Sequence, residues 1–383
     1  MKRMIVTAIL ALAGISAQAG MNVIVRGDYV NTPKFDNRNG TETPGSSIFR
    51  SAAAKVGLDG KVGDAVVTGR LDVGFAPVTT ASGDALVEYI YISREIASGF
   101  TMHAGKLRGQ NGGFEGDSVV DADVYLATLA NGGIGGYNPH QIGWTGAYPS
   151  PTTGALTIVG TPVTAAGNSR GVGMTYKMGE QAIDLQVTNS TNHGTTSSYT
   201  RNNIGVYYKG SFADKMIMPQ FGYMAGSSDQ GYSSTGVSTG SGLGYEETFV
   251  SAGAKMKFGM VGVLAEYLSN TKKASATGGK ADNVNSIYAL VDYTIDAWKP
   301  FLKIESSEFK SQDDATLAAS FKRTGMGLGV ELTPKAGDAF RYHLAYSSTS
   351  DKYGTSGAAV TAKETVAWAQ LTVGVKYAAD ILK

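Results

Sequence analysis

The side chains able to do chemistry are few and scattered. The four histidines stand at His103, His140, His193 and His343. None forms H-E-x-x-H, and no pair has zinc-ligand spacing. The chain has no cysteine, which excludes a thiol nucleophile and any Cys-based metal site. The Gly-Lys pairs at Gly60-Lys61, Gly105-Lys106 and Gly279-Lys280 lack the Ser or Thr that completes a phosphate loop. Gly325-Met326-Gly327-Leu328-Gly329 lacks the third-glycine spacing of a dinucleotide loop and lies within a strand pattern. The G-x-S-x-G spacings at Gly167–Gly171 and Gly236–Gly240 lack the strand–turn–helix context of a nucleophile elbow. The nearest approach to a hydrolytic pair is His343 with Ser347. Four residues along a strand, at ~3.3 Å each, puts them beyond hydrogen-bond reach. The sequence therefore predicts no enzyme and no cofactor. What remains is charge: Arg26 and Arg70 at strand centres, Lys106 before a long polar segment, and Glu115, Asp117, Asp121 and Asp123 inside it.

The elements that must hold these charges read with period 2. Ile183, Leu185 and Val187 alternate with Asp184, Gln186 and Thr188. Phe340, Tyr342, Leu344 and Tyr346 alternate with Arg341, His343 and Ser347. The same pattern runs through Met21–Tyr29, Ala65–Phe75, Ile287–Tyr293 and Ala367–Tyr377. Such alternation predicts strands with one apolar and one polar face. Short connections are expected near Gly60–Gly63, Ala97–Gly99, Gly179–Gln181, Ala213–Lys215, Phe258–Met260, Ile295–Ala297 and Pro334–Asp338. Between them fall long, Ser-, Thr-, Gly- and Asn-rich ones, the longest being Leu107–Ser169. The pattern gives sixteen antiparallel strands, with both termini on the short-turn side.

Composition narrows the setting. Lys2 and Arg3, the apolar stretch Met4–Ile15 and Ala17-Gln18-Ala19 have the form of a cleavable signal peptide over residues 1–19. Residues 20–383 would then be the mature chain. Losing Lys2 and Arg3 changes 33 Lys+Arg to 31, against 32 Asp+Glu. That balance, mixed along the chain, gives no nucleic-acid footprint. After the leader no apolar run is long enough for a membrane helix. Short turns at one end and long loops at the other are instead the plan of a transmembrane β-barrel. In hydrocarbon every backbone N–H and C=O must bond within the protein, and a closed sheet achieves this without an edge. Charge at the centre of the polar face suits a wet lumen. Tyr29, Phe75, Tyr176, Phe212, Tyr267, Tyr293, Trp298 and Tyr377 lie near strand ends, where interfacial girdles fall. A soluble, secreted β-protein would alternate too, but it would line a core with large aliphatic residues.

In this layout the mature chain resembles the general bacterial porins, trimeric sixteen-stranded barrels. Gly99-Phe100-Thr101-Met102-His103-Ala104-Gly105-Lys106 resembles that family's fifth strand, and Gly167-Asn168-Ser169-Arg170-Gly171-Val172-Gly173-Met174-Thr175-Tyr176 its sixth. The resemblance implies passive diffusion of small hydrophilic solutes and ions across the bacterial outer membrane, by a homotrimer surrounded by lipid. It implies that the third loop, Leu107–Ser169, folds into the barrel and narrows it. An acidic loop carrying Glu115, Asp117, Asp121 and Asp123 would face a basic wall, and the field between them would orient dipolar solutes. Lys106 stands where the family has a wall arginine, and Arg26 and Arg70 would extend that wall. The parity of Lys106 is ambiguous, since it follows outward-type Met102 and Ala104. Two features depart from the family. The last strand is expected to end at Tyr377, without a terminal aromatic. The third loop is long enough for two more strands, Tyr137–Thr145 and Ala155–Gly160, which would give eighteen and the look of a substrate-selective anion or sugar channel. A secreted adhesin or surface protein without a bore is the third reading.

Overall fold

The computed structural model describes residues 20–36, 42–72, 87–110, 113–120, 125–126, 128–131, 147–149, 156–158, 169–189, 202–228, 245–274, 281–311, 321–335, 337–353 and 365–382. The expected leader, residues 1–19, lies outside them.

Sixteen antiparallel strands close into one barrel. They are β1 (Gly20–Thr32), β2 (Ser46–Val62), β3 (Ala65–Asp72), β4 (Val87–Ala97), β5 (Phe100–Leu107), β6 (Ser169–Met178), β7 (Gln181–Asn189) and β8 (Asn202–Lys209). The second half comprises β9 (Ile217–Ser228), β10 (Tyr245–Phe258), β11 (Val261–Ala274), β12 (Ala281–Tyr293), β13 (Trp298–Ser311), β14 (Phe321–Leu332), β15 (Phe340–Tyr353) and β16 (Thr365–Leu382). Each strand pairs with its sequence neighbours, and β1 closes the ring on β16. All seven expected short turns fall between paired strands. Three of them, at Gly63, Gly179 and Gly259, hold their glycine at φ near +60° (62°, 60° and 61°). A positive φ at the first of two turn residues suits a tight hairpin, and glycine adopts it without steric cost.

Two expectations are corrected. The closing strand does not end at Tyr377. It continues to Leu382, opposite Met21, because β1 begins at Gly20 and needs a partner along its whole length. The eighteen-strand alternative also falls away. Ala147–Pro149 and Leu156–Ile158 pair only with each other, in a separate two-stranded sheet, and the ring closes without them. Tyr137–Thr145 lies outside the described residues.

Burial decides which face is which. Ile287, Leu302, Ile304, Leu328, Tyr342 and Leu344 lie between 43% and 57% exposed, while Ser286, Lys303, Glu305 and His343 between them are 6% exposed or less. A soluble barrel would reverse this order. An apolar belt running round the outside belongs in lipid. Phe212, Phe258, Tyr293, Trp298 and Phe340 are also exposed, close to the short turns. They form the girdle expected at one membrane interface.

Candidate functional site

The third connection contains a helix, α1 (Gly113–Val120), and a 3-10 turn at Leu129–Asn131. Glu266 of β11 receives the start of α1. Its carboxylate accepts the backbone N–H groups of Phe114 at 2.8 Å and Glu115 at 3.0 Å, and the Tyr288 hydroxyl at 2.9 Å. A helix start leaves such N–H groups without intrahelical partners, and a carboxylate there also meets the positive end of the helix dipole. Gly113, at φ +61°, is needed at this point, because a Cβ would run into that carboxylate.

Glu115 is almost fully buried. It accepts from Lys303 Nζ of β13, from the Thr128 hydroxyl and from Thr128 N at 3.0 Å. Lys303 also donates to the Leu126 carbonyl at 2.7 Å, with its ammonium 4.2 Å from the centre of the Tyr288 ring. Ser307 and Ser286 accept from Leu129 N and Ala130 N at 3.4 and 3.3 Å. Beside these polar contacts, Phe114, Leu129 and Ala130 pack on Met224, Phe249, Leu268 and Val284. All of these wall residues alternate with the exposed belt, so the contacts of Phe114, Glu115, Leu126, Leu129 and Ala130 fall on side chains of the barrel's inner face. Glu305 lies on the same face. It is buried, and among the described residues neither of its carboxylate oxygens has a hydrogen-bond partner.

Tyr125 extends the attachment to β13–β15 and β1. Its ring stacks on Phe301 at 5.2 Å, lies 5.0 Å from the His343 ring and takes the Arg26 guanidinium at 4.7 Å. Its hydroxyl donates to Glu331 at 3.0 Å, and its carbonyl accepts from Ser347 at 3.0 Å. Burial, and then the Glu331 carboxylate, hold the Tyr125 phenol well above its ordinary pKa, so it stays a donor. Arg26 binds Asp28 through two contacts of 3.0 and 2.9 Å, and His343 Nε2 lies 2.8 Å from Asp28 Oδ1. His343 and Asp28 belong to strands separated by β16. They meet across Gly374, which is in register with both and has no side chain to part them.

The wall on β2–β4, seven strands from β11–β13 centre to centre by the shorter way round the ring, is built differently. On β2–β4, Arg70 bonds Glu88 through Nε at 2.5 Å and Nη2 at 3.0 Å, and Lys55 bonds the same carboxylate at 3.0 Å. Arg70 pairs with Tyr89 and Leu71 with Val87, leaving Glu88 as the extra residue of a bulge. The bulge turns Glu88 to the same side as Arg70, against simple alternation.

The expected site residues thus fall into groups. Arg26 meets the third loop through Tyr125, and Glu115 anchors that loop. Arg70 lies on the opposite wall. Asp117 bridges Arg108 at 3.0 Å and Lys209 at 3.1 Å. Lys106 is in register with Ile90 and Arg170 and donates to the Val87 carbonyl at 2.5 Å. Asp121 and Asp123 lie outside the described residues. Lys55, Glu88, Glu266, Lys303 and Tyr125 were missed by the sequence reading. Lys303 had a usable signal, since it and Glu305 alternate with Leu302 and Ile304. Tyr125 had none. Among the described residues no group of three or more His, Asp or Glu side chains converges as a metal site.

By sequence, no protein-family model and no curated protein matches the chain. Solved structures share the architecture at low identity. The anion-selective porin from Comamonas acidovorans is similar over 94% of this chain and 99% of its own, with a TM-score of 0.61 at 11% identity. The outer-membrane channel DcaP of Acinetobacter baumannii gives 0.58 at 12% identity, over 94% and 97%. OmpT, an outer membrane protein of Vibrio cholerae in a trimer form, gives 0.57 at 13% identity, over 94% and 99%. The chain has the fold of the bacterial outer-membrane porins.

Proposed function

We propose that the chain is an outer-membrane porin through which small hydrophilic solutes and ions diffuse passively. The observation that supports this reading is the contact of Phe114, Glu115 and Leu126 of the third connection with Glu266 and Lys303 of the wall, with Lys55 and Arg70 on the far side of the ring. A loop held there narrows the bore and sets the size limit. Within this reading Glu115, Asp117, Asp121 and Asp123 of the loop and Arg26, Arg70 and Lys106 of the wall are the constriction charges, and the field across the bore is what is left after the pairs Glu115–Lys303, Arg26–Asp28 and Arg70–Glu88. Such a field orders water and favours polar over apolar solutes. Residues 1–19 direct export and are removed, leaving 20–383 to assemble as a homotrimer in outer-membrane lipid. Passage requires no reaction and no cofactor. Ser347 donates to the Tyr125 carbonyl rather than to His343, which argues against a hydrolytic pair.

The test is reconstitution of the mature chain. Planar bilayers should record stepwise ion conductance, and liposomes carrying the protein should swell in small sugars and progressively less in larger ones. A chain that stays soluble without detergent and leaves bilayers sealed would end the reading.

A further inference from the structure

The outward face of three adjacent strands changes character in one direction, towards the long connections. On β14 it runs from Leu328 and Met326, both exposed and apolar, through Thr324 to Lys322. β13 and β15 repeat the progression, ending in Glu308 and Lys310 on one side and Lys352 on the other. Lys322 stands directly between Glu308 and Lys352 in register. Glu308 takes Lys310 at 3.0 Å and Lys322 at 3.5 Å, so two ammonium groups share one carboxylate, and Lys352 stands on the far side of Lys322. The Lys322 side chain is 73% exposed. Like charges directly opposite on paired strands repel. This pair becomes favourable when an anion sits between them.

Immediately towards the apolar belt, the same outward face holds a groove of about 520 Å³. Its floor is made of small residues on β15 and β16, among them Ser348, Ala367 and Ala369. Met326 and Tyr346 line it too, as do Pro33 and Lys34 of the first long connection. The groove is continuous with the lipid-facing belt, so its natural filling is hydrocarbon. The cations lie at its headgroup end.

We propose that this face binds a membrane lipid bearing a headgroup phosphate, its acyl chain in the groove and its phosphate between Lys322 and Lys352. The inference rests on the barrel's standing in a membrane, but not on what passes through it. Two features favour lipid over free phosphate or a second copy of the chain: the groove opens into the belt, and its polar end has a net positive charge.

The experiment is native mass spectrometry of the detergent-purified mature protein with added diphosphorylated lipid A or phosphatidylethanolamine. Wild type should retain lipid A. Lys322→Gln with Lys352→Gln should weaken that retention by about tenfold or more, and weaken phosphatidylethanolamine, whose single phosphate is balanced by its own ammonium, by much less. Ala369→Leu should lower retention of both lipids, and inorganic phosphate should not compete. Undiminished lipid A binding by the lysine variant, or displacement by phosphate, would overturn the proposal. So would an Ala369→Leu variant that changes the oligomer mass rather than lipid occupancy, which would assign the groove to a second copy. If Ala369→Leu does not fold, the lysine variant and the phosphate competition still decide. Bilayer conductance of the same samples separates the two readings, since lost lipid binding with normal conductance sinks only this one.

Discussion

The inner wall at β11–β13 and the inner wall at β2–β4 are both lined by buried charge, but their charges are met from different places. At β11–β13, Glu266 and Lys303 are completed by the third loop, through the start of α1 and through Glu115. At β2–β4, Lys55 and Arg70 converge on Glu88, an acid of the wall itself. The first wall is a socket that needs its loop, while the second meets its two cations with an acid of its own. Buried polar groups without partners are costly, so the socket fixes where the loop must lie.

The comparison can be broken on its stronger side first. Lys303→Met leaves Glu115 buried and uncompensated, which should cost about 3–5 kcal/mol of loop docking. Single-channel conductance should rise, and protease should begin to cut within Gly113–Asn131; an unchanged, resistant channel would deny the socket. Glu88→Gln acts on the other wall. It leaves two cations short of a carboxylate, at about 1.5–3 kcal/mol for bonds to a charged group. Thermal unfolding in detergent should report that loss, and the reversal potential should move towards anions while the third loop stays docked. Gly374→Ala should part Asp28 from His343 and cost about 1–3 kcal/mol by overpacking, again read from the unfolding temperature. Asp64→Ala should be nearly silent, because its pair with Arg94 is exposed on both sides.

Much of the barrel was legible because its signals are local. Period-2 alternation assigns Ile183, Leu185 and Val187 to one face and Asp184 and Gln186 to the other without reference to the rest of the chain. Glycine at the tight turns is equally local. The loop's anchorage was not legible, because the Phe114–Glu266 contact spans 152 residues and no sequence period connects them. Parity also fails where the backbone is irregular. Glu88 sits in a bulge, and Gly105 before Lys106 has φ +136°, so counting by twos misleads at both positions. The closing strand was read as ending at Tyr377 because Ala378–Leu382 lack clear alternation. Backbone pairing with β1 extends it regardless.

The chain has no cysteine, which allows a direct test of its two faces. Asp72, with a side chain 36% exposed on the inner register, and Ile92, 46% exposed on the outer, can each be replaced by cysteine in a bilayer-reconstituted channel. A charged, water-soluble methanethiosulfonate should modify Asp72→Cys and lower its conductance. It should leave Ile92→Cys untouched, while a membrane-soluble maleimide labels that site. Modification of Ile92→Cys from water, with Asp72→Cys conducting unchanged, would contradict a wet interior enclosed by a lipid-facing sheet.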